Sequence, residues 1–376
     1  MSVTAAIKNI AVAKLFDGEQ WHSNVEIFIQ EGVITQIQPA TGPVLAGMLV
    51  PGFIDLQVNG GGGALFNTAP TKQTLLTMVQ AHAHFGTTAM LPTVITDSFE
   101  VMQHAADAVA SAISEDRAGI IGIHFEGPHL SVPKKGVHPE RFIRTLSSAE
   151  QRLYQRQDIG CRLVTVAPEN VMPEQITALN ACGVKVWLGH SNADAATVKQ
   201  ALVAGATGFT HLYNAMSPFT SREPGMVGIA LTDANSWCGV ILDGLHIHPV
   251  AAQLAFQAKP KGKVVLVTDA MSPVGTKNLE FDFFDGKITR DGNKLTDASG
   301  ALAGSVLDMA SAVRFAVETL GIDLSEALRM ASLYPAEAIG VATQHGRIVV
   351  GRYANFTLLN DQLIAEGCWI KGNNYF

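Results

Sequence analysis

Gly122-Ile123-His124-Phe125-Glu126, Val186-Trp187-Leu188-Gly189-His190 and Gly208-Phe209-Thr210-His211 decide the fold. Each is a short apolar, β-rich run that closes on a residue able to ligate a metal and then opens into a loop. An α/β barrel builds its active site in this way, from the ends of successive parallel strands. Neutral imidazoles with one carboxylate suit Zn²⁺ or another divalent first-row ion, and three protein ligands leave a position open for water. Any one of these histidines alone reads as a structural residue. Glu126, His190 and His211 together, at three strand ends, point to metal-assisted hydrolysis.

Working outward, eight β-like runs are legible: 53–58, 87–92, 120–125, 161–166, 184–189, 207–210, 238–242 and 263–268. Most are followed by a segment of helical period, as at 72–85, 99–112, 193–204, 249–258 and 305–320, which is the βα repeat. An open doubly wound sheet alternates similarly but concentrates its ligands at one switch point. The count of eight and the spread of ligands favour a closed (β/α)8, TIM-like barrel over residues 51–343. Outside it the texture changes to period two, as in Val25, Ile27 and Ile29, with a turn at Glu31-Gly32. It returns after Gly346, so residues 1–50 and 344–376 are expected to form one small β-sandwich domain. Two interruptions stand out. One is the loop from Gly127 to about Leu146; the other is Ala270 to Gly304, whose Phe284-Asp285-Gly286-Lys287 core reads as a hairpin insertion. Both are candidate substrate clamps.

The chain has 376 residues, 47% of them apolar, enough for one large core and a smaller satellite. Its formal charge is -7, with 26 Lys plus Arg against 33 Asp plus Glu. No basic block follows a phosphodiester backbone, so nucleic acid is not an expected partner. Cys161, Cys182, Cys238 and Cys368 form neither a CxxC pair nor a dense disulfide pattern, and buried reduced thiols in a cytoplasmic protein are expected. The opening segment Met1–Glu19 lacks the pattern of an export signal, and no apolar run reaches membrane-spanning length.

Asp269 ends another apolar strand, in Val-Leu-Val-Thr-Asp-Ala-Met. It reads either as the N-cap of the next helix or as a general base beside a metal-activated water. The second role needs one acid and no nucleophilic Ser or Cys. The glycine run Gly60–Gly63 is a turn and no phosphate loop, since no Lys-Ser/Thr follows. His82 and His84 lie on a helix, where i and i+2 face differently, and read as surface or packing residues.

Pro51-Gly52-Phe53-Ile54-Asp55, His124-Phe125-Glu126-Gly127-Pro128, Gly189-His190-Ser191, His211-Leu212-Tyr213-Asn214-Ala215-Met216, Arg222-Glu223-Pro224-Gly225, Asp243-Gly244-Leu245-His246 and Thr268-Asp269-Ala270 together resemble the N-acetylglucosamine-6-phosphate deacetylases of the amidohydrolase superfamily. The likeness spans nearly the whole chain. It also implies a β-sandwich built from both termini. Many superfamily members carry His-x-His at the end of the first barrel strand for a second metal; here the residues are Gln57-Val58-Asn59. Gln and Asn are weak neutral ligands, so a single divalent metal on Glu126, His190 and His211 is expected, with Zn first and Fe, Mn or Co acceptable. Gln57 and Asn59 then either hold neighbouring groups by hydrogen bonds or touch the metal weakly.

The resemblance further implies that Asp269 accepts the water's proton and returns it to the leaving amine, while His138 polarises the acetamide carbonyl. It implies that His246 contacts the phosphate region of the sugar, that Asn214 and the backbone at Ala215 bind phosphate, and that Arg222 reaches it from a neighbouring subunit of a homodimer. Bidentate Arg would let a net-negative chain bind an anion. Gly300-Ala301-Leu302-Ala303-Gly304 resembles the segment that closes over the sugar, placing Leu302 and Ala303 against it; a tight turn is the plain alternative. A solvated surface histidine is the plain alternative for His138, and Arg222 taken alone would read as a surface ion-pair residue. The implied reaction is hydrolysis of N-acetylglucosamine 6-phosphate to glucosamine 6-phosphate and acetate, in amino-sugar catabolism. The galactosamine epimer is the nearest alternative, and a non-catalytic sugar-phosphate sensor the one from another class.

Overall fold

The eight apolar runs form one parallel sheet. Phe53–Val58, Thr87–Ile95, Gly122–Glu126, Cys161–Val166, Lys185–Leu188, Gly208–Phe209, Trp237–Val240 and Val264–Leu266 lie side by side in chain order. The structure is a computed structural model that describes residues 7–116 and 118–376; residues 1–6, on which part of the export-signal expectation rests, and residue 117 lie outside the described residues. Every residue of Thr87–Ile95 is buried, because helices cover the outside of the sheet and side chains fill its inside. The ring closes beyond the ladder: Val58 bridges Ala270 in parallel, and the Thr268 hydroxyl donates to Asp55 Oδ2 over 2.5 Å.

Caps set the helix boundaries. Thr71 and Ser98 accept backbone N–H groups at the starts of Lys72–Ala83 and Phe99–Ser114. The segment expected to turn helical at residue 305 does so only at Met309, because Asp308 takes the N-cap and accepts Ser311 N–H over 2.8 Å. Within the glycine run, a side chain at Gly61 would collide with His82 Nε2 at 2.7 Å. His82 is buried there and bonds the Gly60 carbonyl over 2.8 Å, a packing residue.

Both termini contribute to one seven-stranded sheet. Leu45–Pro51 lies between Asn9–Phe16 and Phe356–Leu359. In Trp21–Gln30, alternation buries Val25, Ile27 and Ile29, and the turn after it holds Glu31 and Gly32 at φ 50° and 76°, the left-handed pair that a two-residue hairpin demands. The sheet curls so that Val33 bridges Tyr353, enclosing Val12, Ile27, Leu49 and Phe356 in a core apart from that of the barrel.

The insertion is a hairpin extended by a third strand: Glu280–Phe283, Gly286–Asp291 and Lys294–Thr296, antiparallel throughout. Phe283, Ile288 and Leu295 pack on Met271, Ala303, Leu65 and Ile95 at the ligand-bearing end of the barrel. The 127–146 loop carries two short 3-10 turns, and its Arg141 forms an ion pair with Asp285 at the tip of the insertion. All four cysteines are unpaired, but the expectation that they are buried fails for Cys182, which is exposed, and for half-buried Cys161. Cys182 sits at the C-cap of the surface helix Pro173–Ala181, where no packing partner covers it. Among the described residues no helix is long and apolar enough to cross a membrane.

Candidate active site

Strand register brings the ligands to one level. Glu126 ends the third barrel strand beside Ile95 and Thr165 of its neighbours. His190 and His211 follow the fifth and sixth strands, and Asp269 follows the eighth. His190, His211 and Asp269 adopt φ of 48°, 34° and 54°. A left-handed conformation costs a non-glycine residue about 1 to 2 kcal/mol, and such residues cluster where function demands them. Neighbouring backbone holds them there: Ser131 N–H donates to His190 O, and Ser305 N–H to Asp269 O, each over 2.9 Å.

The three expected ligands converge. His190 Nε2 and His211 Nε2 lie 3.2 and 3.0 Å from Glu126 Oε1 and 2.9 Å from each other. His190 Nδ1 lies 2.9 Å from the Lys134 carbonyl, which only accepts, so Nδ1 carries hydrogen and Nε2 of the neutral ring is a bare lone pair. That lone pair is turned on a carboxylate oxygen and on a second imidazole nitrogen. Such a convergence calls for a cation between the groups, and the donor set suits a divalent first-row ion. Ligand atoms of Glu126, His138 and His190 also fall within 4.8 Å of one another. The trio with His211 is tighter, and His138 Nδ1 is already engaged at 2.8 Å by Thr96 Oγ1.

The carboxylates are electrostatically distinct. Burial alone would raise the Glu126 pKa, but hydrogen bonds and charge from His190 and His211 outweigh it and hold the group well below the usual range. Asp269 is pushed up to about 6 by burial and then by the Glu126 charge. Burial, followed by repulsion from His190, keeps the His138 pKa well below that of a free imidazole.

Gln57 and Asn59 hold these acids by hydrogen bonds. Gln57 Nε2 donates to both Glu126 oxygens over 3.1 Å and to Asp269 Oδ1 over 3.2 Å; Asn59 Nδ2 donates to Asp269 Oδ1 over 2.6 Å. Amide N–H groups thus point where His-x-His would present lone pairs.

A cavity of about 170 Å³ joins this cluster to the substrate-contact candidates: His138, Asn214, Ala215, His246 and Leu302 line it with Glu126, His190, His211, Asn59 and Asp269. Ala303 is instead buried in the small core beneath the insertion, while Phe283 and Met271 supply apolar wall. Asp243 Oδ2 holds His246 Nδ1 at 2.6 Å. Arg222 is exposed and does not line the cavity. A larger cavity, about 320 Å³, lies at the opposite end of the barrel and contains none of the strand-end ligands; volume therefore does not locate the chemistry.

Several groups that hold the site together were given no role from the sequence. Asp55, pushed up to about 7 by burial, ties the first strand to Thr268 next to Asp269. Glu169 accepts Ser191 Oγ and Asn192 N–H, anchoring the loop after His190. Thr96 contacts His138. Only the Asp243 and His246 pair, three residues apart, had a local signal.

Known proteins share this architecture. The amidohydrolase family model matches residues 48–374. A Shewanella sp. (strain ANA-3) protein named N-acetylgalactosamine-6-phosphate deacetylase is 58% identical over 87% of this chain and 83% of its own. The N-acetylglucosamine-6-phosphate deacetylase of Haemophilus influenzae is 36% identical over 92% of each chain. A crystal structure of N-acetylglucosamine-6-phosphate deacetylase from Pasteurella multocida matches with a TM-score of 0.93 at 34% identity, covering 97% of this chain and 98% of that one. A (β/α)8 barrel with a strand-end Glu and His cluster, a terminal sheet and these relatives leads to one assignment: the chain belongs to the amidohydrolase family, within its N-acetylated amino-sugar 6-phosphate deacetylases.

Proposed function

We propose that this amide hydrolase converts N-acetylglucosamine 6-phosphate to glucosamine 6-phosphate and acetate. The observation that carries the reading is the single cavity that joins Glu126, His190, His211 and Asp269 to Asn214, Ala215 and His246. Glu126, His190 and His211 would hold one divalent ion, zinc first, which when bound supplies Lewis-acid polarisation and activates water at neutral pH. Asp269 takes the proton of the attacking water at its carboxylate and returns it to the departing amine. Gln57 and Asn59 orient that carboxylate through Oδ1. His138 donates to the acetamide oxygen as negative charge develops there, a contribution of roughly 3 kcal/mol for a preorganised donor. Asn214, the Ala215 backbone and His246 position the sugar phosphate, with Leu302 against the ring. Arg222, exposed and outside the cavity of its own chain, would act across a homodimer interface, and the four unpaired cysteines suit a cytoplasmic enzyme.

A second reading, the galactosamine epimer, is favoured by the 58% identity to the Shewanella protein of that name. The epimers differ at the C4 hydroxyl, away from the amide, so one catalytic apparatus serves both. Acetate release from each N-acetylhexosamine 6-phosphate, with metal content measured on the same sample, tests both readings. A several-fold preference names the substrate; no acetate from either, with metal bound, overturns both.

A further inference from the structure

Thr96 follows the second barrel strand and is 1% exposed. Strand register pairs Ile95 with Glu126 and so brings Thr96 beside Gly127. A side chain at Gly127 would meet Thr96 Oγ1 at 2.2 Å, so only glycine there leaves room for the hydroxyl. Its hydroxyl lies 2.8 Å from His138 Nδ1, where the donor is set by the tautomer, and 3.4 Å from the Glu126 carbonyl, which only accepts. A 3.4 Å separation lies beyond the ordinary O–H···O range, whereas 2.8 Å suits a good bond.

A neutral imidazole presents one N–H and one lone pair, and the partner of one nitrogen decides which the other shows. We infer that Thr96 is a positioning residue: its hydroxyl donates to His138 Nδ1, fixing the tautomer whose Nε2–H faces the cavity as a donor to the acyl oxygen. The opposite tautomer would turn a lone pair on that oxygen, or make His138 a fourth metal ligand. The inference rests on the deacetylase reading for its catalytic meaning, but the tautomer itself is independent of it.

Two measurements decide it on the zinc-loaded full-length protein. Two-bond ¹H–¹⁵N correlation spectra, assigned with a His138→Gln control, report the tautomer directly. The Nε2–H pattern supports the inference, and the Nδ1–H pattern overturns it even if no sugar is turned over. In kinetics, Thr96→Val removes the hydroxyl at nearly constant volume, and Thr96→Ser restores it. The expected result is a loss approaching 10²-fold in kcat for the Val variant, the order reached when an oxyanion donor is lost. KM, melting temperature and zinc content should stay near wild type, and Ser should recover most of the rate. Undiminished kcat in Thr96→Val overturns the inference, as does loss of bound zinc in that variant, which would make His138 a ligand. Wild-type protein that releases no acetate from either sugar would refute the substrate reading alone, since the spectra still decide the tautomer.

Discussion

The two ends of the barrel are built from the same alternation of strand and helix, yet their buried polar groups are treated in opposite ways. At the N-terminal end, the cavity of about 320 Å³ is lined by groups that satisfy one another. Asn355 accepts Lys371 N–H over 2.8 Å and pairs with His345 Nδ1 at 3.3 Å, while Lys371 forms an ion pair with Asp116. At the C-terminal end, a smaller cavity gathers two buried acids and the bare Nε2 of His190, on backbone held left-handed at three positions. Buried polar groups are normally paired, so an end that leaves demand unmet is the end arranged for a ligand. Size is the poorer guide.

The largest effect that would break this contrast is at Asp269. Asp269→Asn keeps an oxygen for Gln57 and Asn59 but cannot accept a proton, so turnover should fall by about 10² to 10⁴-fold while metal content is unchanged. Near-normal acetate release in that variant would sink the assignment of the acid-base group.

A mid-sized effect concerns His82, buried outside the catalytic cluster. Burial, opposed in part by the bond to the Gly60 carbonyl, lowers its pKa from 6.5 to about 4. The unfolded chain therefore binds the extra proton first: stability is fully present above pH 6.5, declines as pH falls, and its loss is complete below pH 4. By linkage the loss is about 2 kcal/mol at pH 5 from this one group. His82→Gln keeps a donor for Gly60 without titrating. Urea unfolding at pH 7 and pH 5 should show a smaller pH difference in the variant; an identical difference would refute the buried neutral histidine.

The smallest effect sharpens the comparison from the other end. Lys371→Ala removes a partly exposed ion pair, for which about 0.5 kcal/mol or less is expected, and kcat should not change. A loss of activity there would mean that the larger cavity communicates with the site.

Much of this was legible in the chain. The eight runs stand out because strands covered on both faces must be apolar nearly throughout, and Glu126, His190, His211 and Asp269 stand out because each ends such a run. The sequence left Gln57 and Asn59 open by their chemistry, since an amide can donate to an acid or touch a metal weakly, and the 2.6 to 3.2 Å contacts to Glu126 and Asp269 come only from the tertiary structure. Thr96 carries no local mark, since its partner is 42 residues away. The third strand of the insertion was missed because Lys294–Thr296 is short, and the exposure of Cys182 because composition says nothing about which side of a helix end a thiol occupies.

Period and residue type along the sequence determined the barrel, the terminal sheet and the kind of chemistry, because burial imposes a repeat that each strand or helix must satisfy locally. Which nitrogens and oxygens face one another was decided only by the tertiary structure. Strand register and left-handed turns bring together groups far apart in the chain, as with Gln57 and Asp269, 212 residues apart, and no local repeat encodes a distance across the barrel.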